Sequence, residues 1–168
     1  MTFRFWVRLA VSVLAALVFR VTLGPRLAVA GVQPDLLAAV IFSVTLARGA
    51  VFGIVAGFVL GLVADVDRPA GLGLTSLAWC TMAYVTARIS EAVEATDPIV
   101  ASALLVLVVL IAETIRALVV SLGDPAGVGL LWLRWALPTA LYTGIAAPLL
   151  AGAARKIFGW SRWFGGRT

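Results

Sequence analysis

Two ionisable residues stand out because they lie within a long apolar segment of this 168-residue sequence. Glu113 and Arg116 are three residues apart, so on a helix they would share one face. Charged groups in such a segment are costly and usually face the interior of a bundle or a partner. Three interpretations stay open: the two groups neutralise each other, line a cavity, or contact a partner helix.

A second group of charged residues follows a glycine-rich segment. Asp65 and Asp67 come at its end, and Arg68 is next in the sequence. Carboxylates at this position could bind a cation, pair with Arg68, or cap a turn. The sequence leaves these alternatives open.

Several kinds of chemistry are excluded by residue type. The sequence has no histidine and a single cysteine, which removes histidine-based catalytic triads, histidine-ligated metals and an internal disulfide. It contains no phosphate-binding loop and no nucleophile motif. We therefore expect no catalytic residue, no metal and no cofactor, and a protein that is not an enzyme.

Four glycines recur at a spacing of four residues, and Asp65 continues the step. A glycine inside a helix costs about 1 kcal/mol relative to alanine in water. In lipid, the compensating gain is close approach of two helix backbones. The pattern predicts a packing face, buried against another helix of this chain or of a partner. The four glycines are Gly49, Gly53, Gly57 and Gly61.

The composition indicates the environment in which these residues lie. Apolar residues make up 62% of the chain, charged residues only 12%, and the mean hydropathy is +1.10. Soluble domains have about 45–50% apolar and about 25% charged residues. We predict a single all-α transmembrane domain, a polytopic bundle of about six helices in contact with membrane lipid. The predicted spans are 5–23, 34–47, 49–64, 72–87, 98–122 and 130–154, followed by a basic, aromatic tail at 155–168.

The second and third spans are unusually short. Pro34 opens the first of them with Asp35 in its first turn, and only Arg48 separates the two. A bilayer core needs about 20 helical residues. The pair is therefore either two tilted spans or a re-entrant hairpin, and both alternatives leave Asp35 and Asp65 on the same side.

The basic residues predict an orientation. With the N-terminus in the cytoplasm, more of them flank the spans inside than outside, as the positive-inside rule requires. Both termini are therefore expected to be cytoplasmic. The basic residues lie at the ends of apolar runs and form no face with stacking aromatics, so no nucleic-acid partner is expected. Those inside would be Arg4, Arg8, Arg48, Arg88, Arg155, Lys156, Arg162 and Arg167, and those outside Arg20, Arg26, Arg68 and Arg134.

Three blocks of residues together resemble the bacterial rod-shape-determining protein MreD family. The first is Pro34-Asp35 opening a short apolar helix. The second contains Arg48-Gly49, Gly53, Gly57-Phe58, Gly61-Leu62 and Asp65, followed by Leu72-Gly73. The third contains Pro138-Thr139, Tyr142 and Pro148, followed by Arg155-Lys156. The resemblance extends from about residue 34 to residue 156. The chain departs from the family at Ala83-Tyr84, where Gly-Tyr is common, and at Thr143, where asparagine is common.

The resemblance implies a non-enzymatic subunit of the cell-elongation machinery in the bacterial cytoplasmic membrane. Its implied partner is the periplasmic scaffold MreC and, through it, the actin-like MreB, the glycosyltransferase RodA and a class B penicillin-binding protein. The small-residue faces also allow a homo-oligomer. The family resembles the S-components of energy-coupling-factor vitamin transporters in architecture, so a vitamin-binding S-component is the alternative function. Few polar residues lie in the predicted spans, which favours the scaffold subunit.

Overall fold

A computed structural model describes residues 3–22, 24, 26, 28, 32–66, 71–92, 97–121 and 129–158. Over these residues the chain is an all-helical bundle, which confirms the predicted all-α class; that the helices cross a bilayer stays a prediction. A turn of π-helix, Trp132–Ala136, leads directly into the last helix. The six α-helices are α1 (Phe3–Thr22), α2 (Leu36–Arg48), α3 (Ala50–Asp65), α4 (Leu74–Ala92), α5 (Pro98–Val120) and α6 (Leu137–Phe158).

The helices overlap the six apolar segments but do not share all their ends. Helix α4 continues through Arg88 and Glu91, which form an ion pair of 3.1 Å one turn apart on its surface. The predicted span ends before these charged residues because they lower the hydropathy. The helix itself continues, because ion pairs between residues three apart support it. Helix α6 likewise takes in the first residues of the basic tail, and the tail beyond Phe158 lies outside the described residues.

Helix α2 is the centre of the bundle. It packs against each of the other five helices, and most of its residues from Leu37 to Thr45 are buried. Ile41 and Phe42 are completely inaccessible. This follows from the sequence of α2, which has no polar face to turn toward solvent.

Helices α2 and α3 form an antiparallel hairpin around Gly49. Gly49 has φ +87°, a left-handed conformation that favours glycine. Asp35 and Asp65 therefore lie at the same end of the bundle, as the sequence predicts. The start of α4, the end of α5 and the π-helical turn meet at this end, which we call the polar end.

One helical segment among the described residues, Ile99–Val120, is long and apolar enough to cross a membrane by length and composition. Three other apolar helical segments are shorter, namely Leu9–Thr22, Leu36–Arg48 and Ala50–Asp65.

Candidate functional site

Three charged side chains meet at the polar end of the bundle. Arg116 Nη1 lies 2.5 Å from Glu113 Oε1, and Arg116 Nη2 lies 3.8 Å from Asp35 Oδ2. The side chains are 13–20% exposed, so water screens them only partly. The i, i+3 spacing of Glu113 and Arg116 places them together, as predicted, and the fold adds Asp35 from α2. We call Asp35, Glu113 and Arg116 the charged triad.

Asp35 is held in place by its role at the start of α2. The sequence predicts that the helix opens at Pro34 with Asp35 in its first turn, but the helix begins two residues later, at Leu36, and Asp35 is its N-cap. Its Oδ1 accepts a hydrogen bond of 3.1 Å from the Ala38 N–H, one of the donors that a helix start leaves unpaired. The Asp35 N–H donates to the hydroxyl of Thr143 on α6 over 2.8 Å. Thr143 is completely buried, so this bond fixes α2 against α6.

An aromatic ring lies beneath the arginine. The guanidinium carbon of Arg116 is 5.5 Å from the centroid of the Trp79 ring on α4, which is cation–π distance. Trp79 is 1% exposed. Its Nε1 and Arg116 Nε are buried and have no hydrogen-bond partner among the described residues. The triad and Trp79 together thus join α2, α4 and α5 and keep two donors unused.

Asp65 caps a helix that follows it in the chain. Its Oδ2 accepts hydrogen bonds of 2.9 Å from the N–H groups of Gly73 and Thr75, at the start of α4. The carboxylate is only 2% exposed. A negative charge at a helix N-terminus is stabilised by these donors and by the helix dipole. Of the alternatives left open by the sequence, the capping interpretation is the one that the structure supports; Asp67 and Arg68 lie outside the described residues.

Two open cavities meet at the triad. One, of about 240 Å³, is lined by Arg20 of α1, Asp35 and neighbouring residues of α2, and Thr139 of α6. The other, of about 890 Å³, extends past Asp65 and the start of α4 toward the π-helical turn. Together they form what we call the cleft. The residues common to both cavities are Thr75, Glu113, Arg116 and Trp135.

The π-helical turn shapes one wall of the cleft. Pro138 has no N–H, and its ring would crowd the carbonyl of Arg134 in a regular α-helix. The chain instead widens just before it, and the Leu137 N–H bonds to the Trp132 carbonyl five residues back. Turns of this kind are often found at functional sites. Here the widened turn carries Trp135, which is 45% exposed and lines both cavities.

The glycine pattern divides into a packing face and a connection. Gly57 and Gly61 lie against the α4 backbone at Trp79 and Ser76, and Gly53 lies against Thr45 of α2. Gly49 does not belong to this face, because it forms the turn of the hairpin and a Cβ there would meet nothing within 4 Å. The predicted face is therefore buried within this chain, against α2 and α4.

The remaining residues singled out in the sequence lie at separate places. Phe58 is 52% exposed on the outer side of α3, and Arg48 is half-buried at the far end of α2. Thr139 lines the smaller cavity, whereas Tyr142 is half-buried further along α6. Pro34 is buried and also lines the smaller cavity. The triad, Pro34 and Thr139 are thus brought together, and Arg48 and Phe58 are not.

Sequence reasoning missed three residues of the site: Thr143, Trp79 and Trp135. Thr143 entered only as a departure from the family pattern, although its hydroxyl receives the Asp35 N–H. Trp79 lies in an apolar run that resembles any core segment. Trp135 lies three residues after Trp132 and three residues before Pro138, and a tryptophan so close to a proline that interrupts helical hydrogen bonding was the available signal.

The cleft offers charge, hydrogen bonding and an aromatic wall. Among the residues that the structure covers, no three Cys, Asp or Glu side chains are grouped so as to hold a metal ion. Within the described part of the chain, Asp35 Oδ2 has Arg116 Nη2, 3.8 Å away, as its single charged partner, and Asp35 lies in the cavity wall. The arrangement can hold helices together and can accept a hydrogen-bond donor or a positive charge.

Comparison with known proteins adds the family. No curated protein and no solved structure matches the chain, so the expected likeness to S-components has no support from them. The family model described as rod shape-determining protein MreD matches residues 2–156, which is nearly the whole chain and includes every residue of the triad. The chain is therefore a membrane protein that belongs to the MreD family of rod shape-determining proteins.

Proposed function

We propose that the chain is a non-enzymatic, multi-pass subunit of the bacterial cell-elongation complex, which supports rod shape and lateral peptidoglycan synthesis by binding an MreC-like periplasmic scaffold. The observation that carries the proposal is the family match over residues 2–156. Through the scaffold the subunit would connect with MreB, RodA and a class B penicillin-binding protein. Its contribution would be contact between membrane proteins.

The distribution of side chains supports a contact function. The described helices keep a buried core around α2 and expose apolar residues on the outer sides of α1, α3 and α6. Among the described residues, Asp35, Asp65, Glu113 and Arg116 bring charged groups from three helices into the cleft at the polar end. A lipid-facing bundle with a polar recess has the surface that a membrane subunit needs in order to bind other membrane proteins.

We further propose that both termini are cytoplasmic, which places the polar end on the periplasmic side. Cys80→Ala provides a cysteine-free background, because Cys80 is the single cysteine. In this background Arg162→Cys should stay unlabelled by a membrane-impermeant maleimide in intact cells and become labelled after permeabilisation. Labelling of intact cells would contradict the orientation.

Co-purification and depletion test the function. The tagged chain, expressed in its host and extracted in mild detergent, should retain the MreC-like scaffold, whereas an unrelated polytopic bait of equal abundance should not. Depletion should convert rods to round cells, and the native chain should restore the shape. Failure to retain the scaffold, together with unchanged shape on depletion, would refute the proposal. A vitamin released from the purified chain by denaturant and identified by mass spectrometry would instead favour a transporter S-component.

A further inference from the structure

The cleft contains a carboxylate oxygen that the described residues leave without a hydrogen bond. Asp35 Oδ1 is occupied by the Ala38 N–H. Asp35 Oδ2 has a single charged neighbour, Arg116 Nη2 at 3.8 Å, which is beyond hydrogen-bond distance. Arg116 is committed to Glu113 at 2.5 Å. Arg20 also lines the cavity but forms no ion pair with the triad among the described residues.

The formal charges of the triad sum to one excess negative charge. Asp35 and Glu113 are acidic and Arg116 is basic, and of the other charged residues that line the cleft, Arg20 is balanced by Asp65. The carboxylate side chains are only 17% and 13% exposed. A poorly hydrated carboxylate is stabilised by a nearby cation and a charge-assisted hydrogen bond. The cleft is therefore complementary to a group that brings positive charge and N–H donors.

The wall of the cleft suits such a group. Trp135 is 45% exposed and lines both cavities, and an ammonium or guanidinium near an indole face is further stabilised by cation–π attraction. Trp79 already makes such a cation–π contact with Arg116, at 5.5 Å from the ring centroid. A phospholipid headgroup fits less well, because its phosphate would come close to Asp35, Glu113 and the buried Asp65.

We propose that the cleft receives a lysine or arginine side chain of the MreC-like scaffold, with Asp35 Oδ2 as the acceptor. The inference rests on the proposed function and on the orientation that places the polar end on the periplasmic side. It deepens that function by naming the recess and the chemistry of the group that enters it. Asp35 would thus have two roles, since one oxygen caps α2 and the other faces the partner.

Removal of one negative charge tests the inference. Asp35→Asn retains a good N-cap, and Glu113→Gln leaves the α2 cap untouched; each takes the triad from a charge of −1 to zero. Each should weaken retention of the scaffold on the order of tenfold to a hundredfold in a titration with purified scaffold. Asp97→Asn is the matched control, since Asp97 caps α5 in the same way by accepting the Ile99 N–H but is exposed outside the cleft. It should bind like the native chain.

The outcomes separate the inference from the function. If the native chain retains the scaffold and both Asp35→Asn and Glu113→Gln retain it equally well, the inference is overturned and the proposed function stands. If the native chain retains no scaffold, the proposed function fails and the inference fails with it. Should Asp35→Asn not accumulate, Glu113→Gln carries the test alone.

Crosslinking identifies the occupant directly. A photo-crosslinking phenylalanine analogue in place of Gln33, which lines the smaller cavity, should capture a scaffold peptide with Lys or Arg within a few residues of the attachment site. Substitution of that basic residue by Gln should reduce binding to native chain as much as Asp35→Asn does, with no further loss when the two are combined. A crosslinked phospholipid, or a scaffold peptide without a basic residue, would overturn the inference.

Discussion

Gly61→Ala should destabilise the bundle, because the added methyl group would meet the backbone of α4. An ideal Cβ at Gly61 would lie 2.6 Å from the Ser76 nitrogen and also against Ser76 Cα. Backbone atoms cannot rotate away as the end of a flexible side chain can. Restoring ordinary contact at 3.4 Å with the nearest of these atoms, Ser76 Cα, would require α3 and α4 to separate locally by roughly 1 Å.

The cost follows from that separation. A gap of this size forfeits roughly a quarter to a half of each atom-pair attraction of about 0.1–0.2 kcal/mol, or about 1–3 kcal/mol over about thirty pairs. The hydrogen bond of 3.0 Å from Ser76 Oγ to the Phe58 carbonyl would weaken by up to about 1 kcal/mol. The better helix propensity of alanine returns up to about 1 kcal/mol. The hydrogen-bond loss and the propensity gain roughly cancel, so the expected net loss in free energy of unfolding is about 1–3 kcal/mol.

Reversible unfolding in mixed micelles of increasing SDS fraction, followed by far-ultraviolet circular dichroism, measures this loss. Gly57→Ala should lose less, because its Cβ would lie 3.0 Å from the Trp79 carbonyl group. Gly129→Ala is the control, since Gly129 is helical and exposed and a Cβ there meets nothing within 4 Å. A Gly61→Ala protein as stable as the native chain, or a control equally destabilised, would refute the reasoning.

Three further predictions concern the charged and sulfur-bearing residues. Arg116→Gln removes the basic member of the triad from beside its two carboxylates and should lower the free energy of unfolding by about 3 kcal/mol; Glu113→Gln combined with it should recover part of the loss, and no recovery would contradict the role given to charge. Asp65→Asn weakens the α4 cap and should cost about 1–2 kcal/mol in the same unfolding assay, whereas Asp97→Asn at an exposed cap should cost much less; equal losses would count against the assignment. Cys80, half-buried with Sγ 3.4 Å from the Ile54 carbonyl, should react slowly with a maleimide in the folded chain and faster in Gly61→Ala; unchanged kinetics would argue that α3 and α4 do not separate.

The spacing of residues in the sequence predicted side-chain contacts within one helix, whereas contacts between helices depend on tertiary packing. The Glu113–Arg116 pair is predictable because residues three apart on a helix are neighbours. The approach of Asp35 to Arg116 is not, since it depends on how α2 sits beside α5. The same holds for Thr143, whose contact with Asp35 exists only once α6 packs on α2.

The glycine pattern shows the limit of spacing as a guide. A step of four residues predicts a smooth face on a helix, and Gly53, Gly57 and Gly61 form one. Gly49 has the same step but lies in a turn with φ +87°, because the helix is interrupted there. Spacing also could not say which helix meets the face. That α4 does so follows from Asp65 fixing the start of α4 beside the end of α3.

The length of α3 has a consequence for the surrounding lipid. Its 16 residues span about 24 Å, whereas the hydrocarbon core of a bilayer is about 30 Å thick. In the proposed arrangement α3 presents its outer side to the acyl chains, so the bilayer must thin or the helix ends must draw in headgroups and water. Such hydrophobic mismatch costs fractions of a kcal/mol per Å and depends on chain length, which makes the thickness of the host membrane part of what sets the stability of this subunit. The residues that face outward there are Val51, Val55, Val59 and Val63.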